Sequence, residues 1–360
     1  MSNIPLVHSK PLSVQPQLRQ ALGGLRFDLT VTLLGVWWLG GLYVDGWAHT
    51  HGRVDDSFFT PWHALFYSGY AAVALFLSVS GWHSWRSGLP WREALPLGYE
   101  YSLLGVLLFA LGGVADMIWH ELFGIEENIE ALFSPSHMVL AIGAWLTMSG
   151  PFRALWRRTP QSLNTWRQQL PLWLSLTLML SLLTFFTEMA HPIPHPQFLG
   201  VSLTSRQEAV KAMAMTSLLL NMTVLMSLVL LAVRRWQLLP GSLTFILTLN
   251  ALAMSFLYDG PLNMQAIALG AAIPAGLLSD GLYYWLRPGL DHPTALRYFA
   301  FLMPVVVYGS LYLALYQVSR IWWSIHMWGG SLVLSGLLGL LLSYLLLPPV
   351  IPQNEYHNQN

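Results

Sequence analysis

Ten long apolar stretches constrain this 360-residue chain more than any other feature of its sequence. A helix needs roughly 20 mainly apolar residues to cross a bilayer, because each residue advances it by about 1.5 Å. The stretches that approach this length cover 24–44, 62–83, 97–118, 136–156, 170–190, 209–233, 241–258, 264–286, 298–317 and 325–347. They lack the alternation of a transmembrane β-strand. The sequence therefore predicts an all-α, polytopic transmembrane helical bundle of about ten spans.

The remaining sequence leaves no room for a separate soluble domain. Only 9% of the residues are charged, whereas a soluble domain has about 25%. We expect an N-terminal segment over 1–23, one transmembrane domain over 24–347 and a polar tail over 348–360. The polar first residues do not resemble a signal peptide, so we expect none. The chain has no cysteine, which excludes disulfides, thiolate catalysis and cysteine-type zinc or iron–sulfur sites.

The distribution of positive charge predicts the orientation in the membrane. Of the 17 Lys and Arg residues, all but Arg53, Arg206, Lys211 and Arg320 fall in the N-terminal segment or in the even-numbered loops. Cytoplasmic loops carry an excess of such residues, so both termini should be cytoplasmic, most simply in a bacterial inner membrane. The opposite, periplasmic side is then rich in acids and histidines. That composition suits cations and disfavours nucleic acid.

Two similar motifs join spans one to two and three to four, within the part of the domain over 24–156. The first reads "DGWAHTHGRVDDSFFTPWHALFY" and the second "DMIWHELFGIEENIEALFSPSHMVLAIG". Each has Asp-x3-His, then an acidic loop, then Thr/Ser-Pro-x-His at the start of the next span. The order of residues predicts that the bundle is built from repeated helical hairpins, followed by the remaining helices over 170–347.

The spacing within each motif predicts a cluster of metal-ligating side chains. Asp45 and His49 lie four residues apart and share one face of a helix. Thr60-Pro61 is a helix-start signal, because a hydroxyl caps the helix and proline suits its first position. His63 then lies in the first turn, level with the end of the preceding helix. The second hairpin supplies the same set, namely Asp116, His120, Ser134, Pro135 and His137.

Two histidines and one carboxylate on rigid elements are a common metal-ligand set that leaves coordination positions open. A bound cation would also offset the cost of an acid near hydrocarbon. The alternative is a hydrated interfacial pair or a simple hydrogen bond between residues four apart. Two copies with matching helix starts favour metal binding. The ligand chemistry alone leaves copper, iron and zinc open.

The same residues resemble the C subunit of the copper membrane monooxygenases, the particulate methane and ammonia monooxygenase family. That subunit has an Asp-x3-His followed by an Asp-rich loop and a Thr-Pro-x-His helix start, as in "DGWAH" and "DDSFFTPWHALFY" here. It has a second site of Asn-x3-His type that ends in Pro-x-His after an acidic loop. The segment "DMIWHELFGIEENIEALFSPSH" is similar, with Asp in place of Asn and a longer loop. The resemblance covers about residues 40–145.

The resemblance implies two neighbouring copper sites, one formed by Asp45, His49 and His63 and the other by Asp116, His120 and His137. It further implies that dioxygen oxidises a small apolar substrate that arrives from the bilayer, and that other membrane subunits take part. A homo-oligomer is the alternative assembly. Two other functions stay open from the residues themselves. One is a metal- or proton-coupled transporter or metal-handling protein, and the other is a non-catalytic membrane subunit.

Four further residues are candidate ligands or proton carriers. Glu188 and His191 lie three residues apart in "FFTEMAHPIPHP" and either join a metal site or belong to a loop. His326 opens the last span, as His63 opens the second, and is either a ligand or a packed interfacial residue. Asp280 lies inside an apolar span, where an acid is a functional candidate by default, for instance on a proton path.

Overall fold

The computed structural model describes residues 23–53, 59–124, 130–158, 163–199, 208–318, 321 and 323–348. The predicted terminal segments therefore lie outside the described residues, apart from their innermost positions. Asp55, Asp56, Glu126 and Glu127, which belong to the acidic loops of the two motifs, also lie outside them.

Twelve α-helices occupy the described residues, and no strand occurs among them. The helices are α1 (Leu25–Thr50), α2 (Pro61–Arg86), α3 (Ser102–Phe123), α4 (Glu130–Phe133), α5 (Pro135–Met148), α6 (Gly150–Arg157), α7 (Trp166–Phe186), α8 (Glu208–Arg235), α9 (Ser242–Ser255), α10 (Met264–Leu286), α11 (Pro293–Val318) and α12 (Ile325–Leu346). In this part of the chain nine helical segments, with α5 and α6 counted as one, are long and apolar enough to cross a membrane. The prediction of an all-α polytopic bundle is confirmed, and the chain is an integral membrane protein.

The seventh predicted span differs from the structure, because α9 is only 14 residues long. At about 1.5 Å per residue it extends roughly 21 Å, which is less than the roughly 30 Å of a hydrocarbon core. The side-chain amide of Gln265 donates to the carbonyl oxygen of Ser255 at 3.2 Å and satisfies the last turn of α9. Apolar residues continue to Tyr258, which is why the sequence predicts a longer helix there than the structure has.

Glycines bring the two helices of the first hairpin into direct backbone contact. A Cβ atom on Gly41 of α1 would lie 2.6 Å from the Cα of Phe66 on α2. A Cβ atom on Gly69 of α2 would lie 2.4 Å from the Cα of Trp38 on α1. Only glycine fits at such distances. The hairpin thus holds its helices closer together than side-chain packing alone allows.

The second hairpin repeats these contacts at the same offsets from its own motif. A Cβ atom on Gly112 of α3 would lie 3.1 Å from Leu140 on α5, and one on Gly143 would lie 2.6 Å from the backbone nitrogen of Phe109. Gly112 precedes its motif aspartate by four residues, as Gly41 precedes Asp45. The two hairpins therefore place their motif residues on the same backbone framework.

The two hairpins meet through equivalent aromatic side chains. Trp38 and Phe109 hold matching positions in α1 and α3, and their rings contact each other edge to face with centroids 4.6 Å apart. Tyr70 packs on both rings, at 5.4 Å from Trp38 and 4.6 Å from Phe109. Its hydroxyl donates to the carbonyl oxygen of Val106 at 2.9 Å. Contact between equivalent residues is the arrangement that an approximate two-fold axis produces.

The central helix α7 joins the hairpins to the second half of the bundle. Its side chains are buried along most of its length. Towards α1 it accepts a hydrogen bond from Tyr43, whose hydroxyl lies 2.9 Å from the carbonyl oxygen of Ser181. Towards α9 it accepts bonds from Asn250, whose amide lies 3.1 Å from Ser181 Oγ and 2.8 Å from Thr184 Oγ1. These polar contacts fix the register of three helices where apolar packing alone would not.

Arginines tie the helices together at the end of the bundle where α1 begins. Arg158 forms an ion pair with the buried Asp28, which also accepts a hydrogen bond of 2.8 Å from the Tyr99 hydroxyl. Arg235 donates to the carbonyl oxygens of Trp156 and Arg158. These carbonyls lie at the end of α6, where the helix itself supplies no donor for them. We call this end of the bundle the arginine end, and the opposite end, where α1 and α3 finish, the cluster end.

Replacing Gly41 by Ala should destabilise the first hairpin, because the new methyl group would overlap the backbone of Phe66. Overpacking of this kind costs about 1–3 kcal/mol. The matched control is Gly40→Ala, since nothing lies within 4 Å of a Cβ atom there. Chemical unfolding of both variants in detergent measures the difference, and equal stability would contradict the close helix contact.

Candidate metal centre

Local helix-start chemistry positions one histidine of each cluster. Thr60 caps α2, and its side-chain oxygen accepts a hydrogen bond of 3.1 Å from the backbone nitrogen of His63. Ser134 caps α5 and accepts the equivalent bond of 3.3 Å from His137. Proline occupies the first position of both helices. The cap fixes where each helix begins and therefore the height at which its histidine lies.

The Asp45 cluster consists of Asp45, His49 and His63 at the cluster end of the first hairpin. The two Nε2 atoms face the same carboxylate oxygen, Asp45 Oδ2, at 3.9 Å for His49 and 3.5 Å for His63. Both distances exceed those of a good hydrogen bond. The side chain of His49 is one-third exposed, whereas Asp45 is buried. The cluster therefore has access from outside but keeps its acid within the protein.

The Asp116 cluster consists of Asp116, His120 and His137 at the same end of the second hairpin. Its imidazoles approach different carboxylate oxygens: His137 Nε2 lies 3.1 Å from Oδ1 and His120 Nε2 lies 3.5 Å from Oδ2. Ser136 also donates to Oδ1 at 2.8 Å. The Nδ1 atom of His120 lies 3.4 Å from the carbonyl oxygen of Gly124. These contacts hold the carboxylate and orient its histidines.

The two clusters differ in how they satisfy the buried carboxylate. Asp45 Oδ1 is buried and has no hydrogen-bond partner among the residues that the structure describes. Ser136 makes the corresponding bond in the other cluster. Trp62 stands at the equivalent position of α2, and its indole nitrogen donates instead to the carbonyl oxygen of Arg53 at 3.2 Å. A buried carboxylate oxygen without a donor is costly, so the Asp45 cluster has the greater need for a cation.

The donor atoms of both clusters fit a metal ion. Within each cluster, one donor atom from each residue can be chosen so that all three lie within 4.8 Å of one another. Two donors bound to one ion at about 2.0–2.2 Å are separated by about 3.0–3.4 Å for ordinary bond angles. The observed separations lie within this range at 3.1 Å or slightly above it at 3.5, 3.5 and 3.9 Å, so a small contraction would close either cluster around an ion. Among the described residues, no other group of three such side chains meets this criterion.

Tyr67 lies between the two clusters. It is four residues after His63 on α2, and their rings are 6.3 Å apart. Its hydroxyl would lie 3.1 Å from a Cβ atom on Gly113, one turn before Asp116. Tyr67 interacts electrostatically with both Asp45 and Asp116, and Asp45 itself interacts with His137. The clusters are therefore neighbours that share one electrostatic environment.

The four additional candidates lie outside both clusters. Glu188 Oε2 lies 3.3 Å from His195 Nε2, so Glu188 pairs with His195 rather than with His191. His191 itself is buried. His326 lies at the exposed start of α12. The carboxylate of Asp280 accepts bonds from the backbone nitrogens of Leu243 and Thr244 at 3.1 Å, so it caps the first turn of α9. A capping role explains an acid inside an apolar helix without a proton path.

Sequence reasoning missed three residues of the candidate metal centre. The Ser136 hydroxyl is signalled only by its place in "SPSH", since a serine in the first turn of a helix has no set partner. Tyr67 shares a helix face with His63, but nothing in the sequence shows that α3 lies against it. The different role of Trp62 is visible only once both hairpins can be compared in three dimensions.

Comparison with known proteins adds no relative to these observations. No protein family, no curated protein and no solved structure matches the chain. The fold and the clusters therefore define the protein by themselves: it is a membrane-spanning helical protein with two Asp-His-His groups whose donor atoms lie close enough together to hold a metal ion.

His191 should make stability depend on pH. Burial, helped by the nearby His195, lowers the pKa of this loop histidine to about 3 from its ordinary value of 6.5. As the pH falls below about 6.5, His191 therefore takes up a proton in the unfolded chain but not in the folded chain. The free energy of unfolding should drop by about 1.4 kcal/mol per pH unit there.

The measurement is chemical unfolding in detergent at pH 7 and pH 5. His191→Gln cannot titrate, so wild type should lose roughly 2 kcal/mol more than this variant between the two values. Equal losses in the two proteins would show that His191 accepts a proton freely in the folded state.

Proposed function

We propose that the protein is a copper-binding membrane oxidoreductase related to the copper membrane monooxygenases. The observation that carries this proposal is the buried Asp45 carboxylate. Two imidazole nitrogens face it at 3.5 and 3.9 Å, longer than a good hydrogen bond, and its Oδ1 has no donor among the described residues. A cation held between the carboxylate and the two imidazoles would offset the cost of burying this negative charge. The motif order in "DGWAH" and "TPWH" supports copper among the metals that this ligand set accepts.

The two clusters would hold one ion each. Asp45, His49 and His63 supply three donors to the first, and Asp116, His120 and His137 supply three to the second. When bound there, a copper ion would supply the activation of dioxygen. The protein supplies orientation, since the Thr60 and Ser134 caps fix two histidines and the carbonyl oxygen of Gly124 faces His120 Nδ1.

A small apolar substrate would reach the Asp116 cluster from the lipid. The last turns of α3 expose large apolar side chains, namely Ile118, Leu122 and Phe123. Such side chains face hydrocarbon in a membrane-spanning helix, and His120 lies on the same turns. This arrangement supports a substrate that partitions into the bilayer in preference to a charged one.

The first two hairpins are best explained as copies of one unit. The matched glycines, helix caps and clusters support a repeat, as does the contact between the equivalent Trp38 and Phe109. We further infer that the arginine end is cytoplasmic and the cluster end periplasmic in a bacterial inner membrane. The excess of arginine at one end supports this orientation.

Metal analysis of the purified protein tests the proposal. Copper-loaded wild type should retain an ion in each cluster, whereas His63→Ala and His137→Ala should each lose the ion of their own cluster. The loss of affinity should exceed the roughly 10–100-fold that removal of an outer hydrogen-bond partner causes. His83→Ala is the matched control, because His83 lies near the arginine end of the same helix as His63.

Three results would contradict the proposal. A failure of wild type to retain copper, iron or zinc under any loading condition would show that the two clusters are not metal sites. Selective retention of zinc or iron would contradict copper as the bound metal. Equal copper content in His63→Ala, His137→Ala and His83→Ala would place the metal elsewhere.

Activity measurements separate the enzyme from the other two functions. Copper-loaded protein with a reductant and dioxygen should convert a short alkane to the alcohol, and both histidine variants should lose this activity. Metal flux into liposomes without product would support a transporter. Bound metal with neither product nor flux would support a non-catalytic subunit.

A further inference from the structure

A second site lies in the other half of the bundle, between α7, α8, α9, α10 and α11. These helices surround a cavity of about 80 Å³, several times the roughly 10–15 Å³ that one water molecule needs. One wall is built from alanines of α10, including Ala268 and Ala272, whose small side chains leave the space open. Leu225, Met222 and other apolar side chains complete most of the lining. No charged Lys, Arg, Asp or Glu lines it.

Most polar groups of the cavity wall already have partners within the protein. The Tyr308 hydroxyl donates to the carbonyl oxygen of Leu218 at 2.5 Å. Both hydrogens of the Asn250 amide are used, by Ser181 Oγ and Thr184 Oγ1. These groups belong to the framework of the bundle and leave little hydrogen-bonding capacity for an occupant.

His191 is different, because it presents a hydrogen-bond donor to the cavity. Its Nδ1 accepts a bond of 3.2 Å from the backbone nitrogen of Ile193. In a neutral imidazole the proton then resides on Nε2. The residue is only 6% exposed and lines the cavity, and its Nε2 has no partner among the described residues. An unused N–H in an apolar wall points to an acceptor atom on a bound molecule.

Asn221 lines the same cavity, but it offers an occupant no hydrogen bond. Its amide nitrogen donates to the carbonyl oxygens of Ala190 at 2.6 Å and Ser217 at 2.9 Å. Its Oδ1 has no donor among the residues that the structure describes, but this atom is buried and is not open to the cavity. The cavity thus combines one free donor, on His191, with an apolar interior.

We propose that this cavity binds a small amphipathic molecule that has an apolar body and one hydroxyl group. The hydroxyl oxygen accepts a hydrogen bond from His191 Nε2. The apolar body occupies the space among the alanines and leucines. A charged ligand is excluded by the absence of a counter-charge in the lining. An alkane leaves His191 Nε2 unsatisfied.

The site is separate from the two metal clusters. None of the residues Asp45, His49, His63, Asp116, His120 and His137 lines the cavity. Binding here therefore does not depend on a metal, and the failure of either proposal leaves the other intact.

Photolabelling of the purified full chain tests the proposal. The probe is a diazirine-bearing 1-octanol, and the labelled residues are located by mass spectrometry. We expect labels on the cavity-lining stretches of α8 and α10, and excess 1-octanol should reduce them at least tenfold. Octane at equal membrane concentration should compete roughly tenfold less well, because it cannot accept the hydrogen bond from His191 Nε2.

A pair of variants in α10 gives the structural control. Ala272→Leu places three extra carbon atoms in the cavity and should reduce labelling of α8 about tenfold. Ala266→Leu makes the same change at an exposed position of the helix and should leave labelling unchanged. Retention of a monodisperse peak in detergent shows that each variant is folded.

Two outcomes would overturn the proposal. Equal competition by octane and 1-octanol in wild type would show that His191 Nε2 selects no hydroxyl, a result that needs no variant. Labels confined to lipid-facing residues, without competition at α8 and α10, would show that the cavity holds only water.

Discussion

Direct backbone contact between the paired helices sets the geometry on which both clusters depend. Gly41 and Gly69 in the first hairpin, and Gly112 and Gly143 in the second, remove the side chains that would hold the helices apart. At this separation a carboxylate at the end of one helix meets an imidazole in the first turn of the next. In a bilayer no water compensates for a poorly placed charge, so the position of the acids relies on this framework.

The sequence was sufficient for the helices and for the residues of the two clusters. Both depend on local rules: apolar length for a span, a four-residue interval for a shared face, and hydroxyl-Pro for a helix start. An antiparallel hairpin then leaves little freedom in where Asp45 and His63 meet. The sequence did not reveal that the two hairpins pack against each other, so the place of Tyr67 between the clusters could not be predicted.

Residues whose role depends on distant partners were harder to interpret. In the sequence, Asp280 has the features of a functional acid. In the structure α9 lies beside it, and its carboxylate accepts hydrogen bonds from two backbone nitrogens of that helix. Glu188 and His191 have helical spacing, but the prolines that follow turn the chain, so that Glu188 meets His195 instead. The cavity behind His191 is invisible in the sequence, because alanines in α10 signal a gap only when the opposing helices are known.

The two carboxylates differ in their hydrogen-bond partners, and this difference has a consequence for how the molecule assembles. Asp116 has a serine donor and two close imidazoles, so the second hairpin can reach its final structure with no ion present. Asp45 has one oxygen that no described residue serves, so the first hairpin keeps an unsatisfied polar atom in its interior. On the proposal that each cluster holds an ion, the second hairpin would form first and act as a template, and the first would close last, when its ion binds.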